Sequence, residues 1–126
     1  MKKKFSKSWN SSKKPRKQRK YRIGAPLHVK QKFVHAHLSK ELKKKYNKRS
    51  IGLRKGDKIK IMLGQFKKHE GKVERIDLKK TAVFVNGVEI TKKDGTKKML
   101  ALNPSNLMIT ELNLDDKFRQ KSLERK

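Results

Sequence analysis

The chain has 126 residues, of which 33% are apolar, against about 45–50% in an average globular chain, so it is one modest domain without a large buried core. Lysine and arginine number 38 against 11 acidic residues, a net charge of +27, and that much like charge repels itself in a compact chain unless a polyanion neutralises it; the expected partner is a nucleic acid. Without cysteine there is no disulfide framework, thiolate nucleophile or thiolate metal site, and no apolar run reaches the about 20 residues that span a bilayer, so a soluble, cytosolic chain with no membrane partner is expected.

The charge is concentrated at the front. Residues 1–50 hold 19 basic residues and one acid, Glu41, and residues 1–22 hold 11 cations, no acid and only Phe5, Trp9 and Tyr21 as large apolar groups. These cannot offset the entropy of ordering the segment, so residues 1–24 read as a disordered, largely extended basic arm. Lys13, Lys14, Arg16, Lys17, Arg19, Lys20 and Arg22 surround Tyr21, a pattern that combines phosphate pairing with stacking on bases. Trp9 either stacks on a base or anchors in a protein pocket.

Residues 25–50 read as a basic linker carrying a short helix over 39–46. Ser39 caps it, Glu41 lies at its positive end, and Leu38, Leu42 and Tyr46 form its apolar stripe, which leaves Lys40, Lys43 and Lys44 facing away. Lys48 and Arg49 follow as further candidate RNA contacts. His28, His35 and His37 have no acid or thiol at metal-ligand spacing, so no metal is expected there.

The folded domain is placed at residues 51–112, where 24 of 62 residues are apolar. After Arg54 and Lys55, the residues Ile59, Ile61 and Leu63 alternate with Lys58, Lys60 and Met62, the period of a half-buried strand. Gly64 ends it. A loop closed by Gly71 leads to a second strand over 72–78, whose apolar phase changes between Val73 and Ile76 and so predicts a bulge near Glu74 and Arg75. Strands over 81–85 and 88–90, a turn at Asp94-Gly95, and strands over 98–102 and 107–110 joined by Asn103-Pro104-Ser105-Asn106 complete the pattern. Short strands and tight turns predict a mainly β fold, a small antiparallel barrel. The basic tail, residues 113–126, either forms a last helix or frays.

In the loop, Lys67, Lys68 and Lys72 are candidate phosphate contacts, Phe66 and His69 candidate stacking groups, and Gly64 and Gly71 the residues that let the backbone approach RNA; alternatively Phe66 covers the end of the barrel. The loop lacks the Gly-Lys-Ser or Gly-Lys-Thr ending of a nucleotide-binding loop. The acids are scattered among lysines, so no catalytic residues, cofactor or small-molecule substrate are expected.

Gly56-Asp57, Ile59, Ile61, Gly64, Lys67 and Gly71-Lys72-Val73 resemble a KOW motif. The blocks Ala25-Pro26-Leu27-His28, Leu38-Ser39-Lys40-Glu41-Leu42, Lys45-Tyr46-Asn47-Lys48-Arg49-Ser50, Asn103-Pro104-Ser105-Asn106 and Leu123-Glu124-Arg125-Lys126 resemble the KOW-bearing family of large-subunit ribosomal protein twenty-four, in its archaeal and eukaryotic branch. The resemblance implies an SH3-like barrel that binds the five-prime domain of large-subunit ribosomal RNA early in assembly, among neighbouring ribosomal proteins near the peptide exit tunnel, in the cytoplasm. Many members have glycine where this chain has Lys68, which implies a differently shaped loop. The other readings are a KOW-containing transcription elongation module, which would bring a preceding α/β domain or repeated KOW units, and a basic DNA-compacting protein.

Overall fold

The computed structural model describes residues 5–6 and 11–125; Trp9 lies outside them. Helices α1 (Pro15–Gly24) and α2 (Leu27–Phe33) lead into strand β1 (His35–Leu38), helix α3 (Lys40–Tyr46) and strands β2 (Ser50–Gly52), β3 (Lys58–Ile61), β4 (Glu70–Asp77), β5 (Ala82–Val85), β6 (Glu89–Thr91) and β7 (Lys97–Met99). A 3-10 turn (Pro104–Asn106), strand β8 (Leu107–Glu111) and helix α4 (Lys117–Glu124) complete the chain.

Six strands form one sheet in the order β2-β1-β8-β3-β4-β5, and β6 and β7 pair as a separate hairpin. The fold is β-rich as expected, but among the described residues no closed barrel is found: β2 and β5 are the two ends of the sheet. Nor is the sheet wholly antiparallel, because β1 runs parallel to β8, with His37 opposite Met108 and Leu38 opposite Ile109. The reason lies in the segment that reads as a linker. Val34, Ala36 and Leu38 alternate with His35 and His37 and bury their side chains, so the chain before the expected domain extends one edge of the sheet.

Ile59 and Ile61 of β3, Val73 of β4, Val83 and Val85 of β5 and Leu107 and Ile109 of β8 form the centre of the core. The alternation holds for Ile59 and Ile61 and stops there: β3 ends at Ile61, and Leu63 is 58% exposed. The expected bulge is present, since Val73 faces Val85 whereas Arg75 faces Phe84; the unpaired Glu74 bends β4 so that its first half pairs with β3 and its second with β5. Helix α3 starts as predicted, the Leu42 amide donating to Ser39 Oγ at 3.3 Å. It ends on Asn47, whose φ of 51° is the left-handed C-cap that asparagine tolerates.

The arm differs most from expectation. Residues 15–24 form α1 instead of extended chain, with Pro15 in the first turn, where its missing N–H is no loss, followed by arginines, lysines and glutamine, all good helix formers. None of its residues is buried. It meets the body through Tyr21, edge-on to Phe33 with ring centroids 6.2 Å apart, and through Arg22 Nη2, which donates to Thr81 Oγ1 at 3.4 Å.

At the other end, the tail forms α4, tied to the sheet by a buried ion pair. Asp57 is 0% and Arg119 4% exposed. Arg119 donates from Nη1 to Asp57 Oδ1 at 2.6 Å and from Nη2 to Oδ2 at 2.7 Å, the two-pronged geometry that suits a guanidinium. Its Nη1 also reaches the Asn113 carbonyl at 2.8 Å and its Nη2 the Gly52 carbonyl at 3.1 Å. The same carboxylate accepts the Arg54 amide at 2.8 Å and the Asn113 amide at 2.9 Å. Its neighbour Gly56 has a φ of +91°, and a side chain there would meet Asn113 Nδ2 at 2.8 Å. The Gly-Asp step before β3 is therefore a structural joint.

Removing one member of such a pair strands a buried charge, so Arg119→Met is expected to lower unfolding free energy by about 3–5 kcal/mol in urea titration. Asp57→Ala should lower it at least as far, because two backbone amides also lose their acceptor; a loss below about 1 kcal/mol for Arg119→Met would show that α4 is held by other contacts. Helix α4 also carries an acid-sensitive cap. The Phe118 amide, and after it Arg54, hold the Asp116 carboxyl below its ordinary value of 3.8, so its contribution is present above that value and is lost as pH falls through the lower, folded-state value. Acid titration of α4 helicity should show this step, and Asp116→Asn should remove it.

Candidate nucleic-acid interface

The candidate cations fall into groups that the fold treats differently. Lys13 and Lys14 precede α1, and Arg16, Lys17, Arg19, Lys20 and Arg22 lie on it, all exposed. On α3, Lys40 and Lys44 are exposed and Lys43 is half-buried; Arg49 is exposed beyond it. Lys48 is engaged within the protein, its Nζ donating to the Ser122 carbonyl of α4. Arg54 pairs with Asp116. Together with exposed Lys55 it borders a groove of 1070 Å3 floored by Val34, Leu53, Ile76 and Leu78. Among the described residues the ion pairs engage Arg54, Lys58, Lys60 and Arg119, and only Arg54 belongs to the candidate set.

The loop between β3 and β4 presents Lys67 and Lys68 to solvent, and Lys72 is exposed at the start of β4. Phe66 packs against the core, so its ring closes one end of the sheet. His69 sits over the turn after β5, its Nε2 at 3.3 Å from the Asn86 carbonyl and close above Gly87. Gly64, with a φ of +99°, has open space around it. Gly71 does not: a side chain there would meet the Asn86 carbonyl at 2.7 Å and Val85 Cγ1 at 2.9 Å, so this glycine serves the close approach of β4 to the turn after β5. Lys68 adopts a φ of +73°, and its amide donates to the Ile61 carbonyl at 2.9 Å, closing the loop. The loop thus has the left-handed backbone that glycine reaches without penalty, with lysine in its place.

The arm and this loop are not brought together. Arg22 contacts the turn that follows β4, whereas the loop precedes β4, and the eight residues of that strand separate them by up to about 26 Å. The turn itself carries Lys79 and Lys80, both exposed, in the short gap between the strands expected over 72–78 and 81–85. The β6–β7 hairpin likewise exposes Lys92, Lys93, Lys97 and Lys98. In both places the signal is a pair of lysines at a strand end. Arg75 stacks over Phe84, its guanidinium carbon 4.3 Å from the ring centroid. His35 and His37 lie on β1 and His28 on α2; burial, and after it Lys32, lower the His35 pKa from its ordinary 6.5, which favours the neutral ring.

Two substitutions separate loop geometry from charge. Lys68→Gly is expected to raise stability by about 0.5–1 kcal/mol in thermal unfolding, because it relieves left-handed strain, while removing one cation. Gly71→Ala is expected to destabilise by about 1–3 kcal/mol, because the obstacle to its methyl group includes backbone that cannot rotate away. Equal stability of wild type and Gly71→Ala would mean that β4 and the following turn can move apart.

The model of the family that unites the eukaryotic L26 and archaeal L24 ribosomal proteins matches residues 12–126. The chain is 50% identical over 114 residues to the large ribosomal subunit protein uL24 of Methanothrix thermoacetophila, covering 90% of this chain and 98% of that protein. It is 48% identical over 115 residues to the large ribosomal subunit protein uL24 of Methanosphaera stadtmanae, covering 91% of this chain and 98% of that protein. On this agreement along nearly its whole length, the chain belongs to the family of the archaeal L24 and eukaryotic L26 ribosomal proteins.

Proposed function

We propose that the chain is a structural constituent of the cytoplasmic large ribosomal subunit and acts by binding large-subunit ribosomal RNA. The observation that carries this reading is the near full-length match to relatives named as large ribosomal subunit proteins. The surface supports it: exposed cations stand at both ends of β4 and along α1, a distribution suited to following a phosphate backbone. The finer reading is binding to the five-prime domain of that RNA early in assembly, on the subunit surface near the peptide exit tunnel and beside neighbouring ribosomal proteins. In it, β3, its loop and β4 act as the KOW element of an SH3-like sheet, with Lys67, Lys68 and Lys72 on phosphate and the arm cations meeting the RNA separately, toward the other end of β4. Its role is structural and not enzymatic.

Helix α1 has 10 residues and none buried, below the about 12–15 that make an isolated helix stable in water. The arm therefore orders fully on RNA, at an entropic cost that lowers net affinity.

Sucrose-gradient sedimentation with a high-salt wash tests the assignment: the protein is expected to stay with the large subunit, and recovery with chromatin or polymerase would favour the DNA-compacting or elongation readings. In titrations with large-subunit ribosomal RNA, deleting residues 2–22 is expected to flatten the dependence of log K on log salt by about 0.7–0.9 for each phosphate that the arm neutralises. Lys67→Ala with Lys68→Ala should weaken binding with little change in melting temperature, since exposed lysines contribute little to folding. An unchanged slope on arm deletion would place the arm off the RNA.

A further inference from the structure

Helix α1 and the turn between β4 and β5 enclose a cleft of 420 Å3 lined by Arg19, Arg22, Ile23, Lys79, Lys80 and Thr81. Two of its cations come from one wall and two from the other, and among the described residues no carboxylate lines it. Among the same residues none of the four cations makes an ion pair. Four positive groups gathered around one cavity repel each other unless an anion lies between them.

The turn that supplies the second wall is held in place from three sides. Lys30 is buried on α2, 9% exposed, and its ammonium donates to the Lys79 carbonyl at 3.3 Å. Asp77 Oδ1 accepts the Lys80 amide at 3.1 Å. Thr81 has a φ of 51°, a conformation that a β-branched residue adopts only when its surroundings impose it. Its hydroxyl donates to the Lys80 carbonyl at 2.7 Å and accepts from Arg22 of the opposite wall. These hydrogen bonds thus hold, against the backbone strain at Thr81, a turn whose own side chains, Lys79 and Lys80, remain in solvent.

We propose that this cleft is a two-walled clamp for the phosphodiester backbone of a single RNA strand, closed by α1 against the β4–β5 turn. The inference rests on the RNA-binding reading above and assigns it a second site at the far end of β4 from the β3–β4 loop. Arg19 and Arg22 suit phosphate because a guanidinium offers paired donors, and Lys79 and Lys80 add mobile point charges opposite them. Ile23, 77% exposed at the edge of the cleft, supplies an apolar face for a ribose or base. The cleft, at 420 Å3, lies within the range of about 300–1,000 Å3 typical of ligand sites. An anion held between the walls adds to the contacts of Tyr21 and Arg22 that tie the arm to the body.

The test is a double-mutant cycle on the full chain, binding a large-subunit ribosomal RNA transcript across a potassium chloride series. One variant carries Lys79→Ala and Lys80→Ala, the second Arg19→Ala and Arg22→Ala, and the third all four; Lys67→Ala with Lys68→Ala is the control at the distant loop. Each clamp pair is expected to reduce the salt slope by about 1.4, at about 0.7 per single-strand phosphate. The fourfold variant should fall short of the product of the two affinity losses by more than about twofold, since a strand released by one wall is no longer held by the other. Circular dichroism melts check folding, and Lys79→Gln with Lys80→Gln, which keeps most of each side chain, repeats the measurement if the alanine pair melts early. Affinity losses that multiply independently would overturn the clamp in favour of two separate basic patches. Normal binding by the Lys79 and Lys80 variants, with weakened binding by the loop control, would overturn the clamp and leave the RNA reading standing. Normal binding by every variant would overturn the clamp and the loop contacts alike, and failure of the unaltered chain to bind the transcript would overturn the RNA reading itself.

Discussion

The buried pair of Asp57 and Arg119 is the constraint on which the rest of the molecule depends. One carboxylate at the start of β3 receives a guanidinium from α4 and two backbone amides, and the guanidinium goes on to the carbonyls of Gly52 and Asn113. Segments distant in sequence therefore meet at one charged centre. In a chain with a net charge of +27, an acid buried at such a centre also removes one positive charge from the general repulsion. Such a pair adds little net stability compared with apolar packing, because both ions lose their hydration. What it supplies is position: the paired donors of Arg119 meet both oxygens of Asp57 with α4 held against the start of β3.

With the body fixed in this way, the cations are free to serve outward. Lys58 and Lys60 are matched to Glu111 and Glu70 across neighbouring strands, so the sheet neutralises part of its own charge. The cations of α1, the β3–β4 loop and the β4–β5 turn are left at the periphery. The strand that joins the latter two is bent by its bulge at Glu74, so loop and turn face outward in different directions. A molecule built like this presents its cations over a broad surface rather than in a single pocket.

Strands β3, β4, β5 and β8 are legible in the sequence because each has a short apolar rhythm bounded by glycine, asparagine or proline, and the bulge shows in the broken phase between Val73 and Ile76; β7, expected over 98–102, covers only Lys97–Met99 and, like the exposed β6, has little apolar rhythm to mark it. The capped helix at Ser39 is legible for the same local reason. Strand β1 is not, although Val34, Ala36 and Leu38 alternate cleanly with two histidines. The run is brief, lies among lysines, and finds its partner in β8, with His37 opposite Met108, a pairing that no local pattern reveals. Helix α1 is hidden because it has no apolar stripe to mark a face. Gly71 and Phe66 look like binding residues in a loop motif; the structure adds that Gly71 lies too close to Asn86 and Val85 for a side chain and that Phe66 packs against the core. Lys79 and Lys80 are inconspicuous because a charged turn is common on any protein surface, and only the helix standing opposite gives this one meaning.

The position of β8 has a consequence for the order in which the molecule can be made. It lies between β1 and β3 in the sheet, yet it is encoded after both, and the Ile109 carbonyl that receives the Ser39 amide at 2.9 Å does not exist until most of the chain has been translated. Among the described residues, strands β1 and β3 have no direct pairing with each other, so a nascent chain that stops short of Leu107 lacks the strand that pairs with both. Native structure is in this sense a proof that synthesis has passed β8, and a prematurely terminated copy keeps the basic segment without the complete sheet behind it.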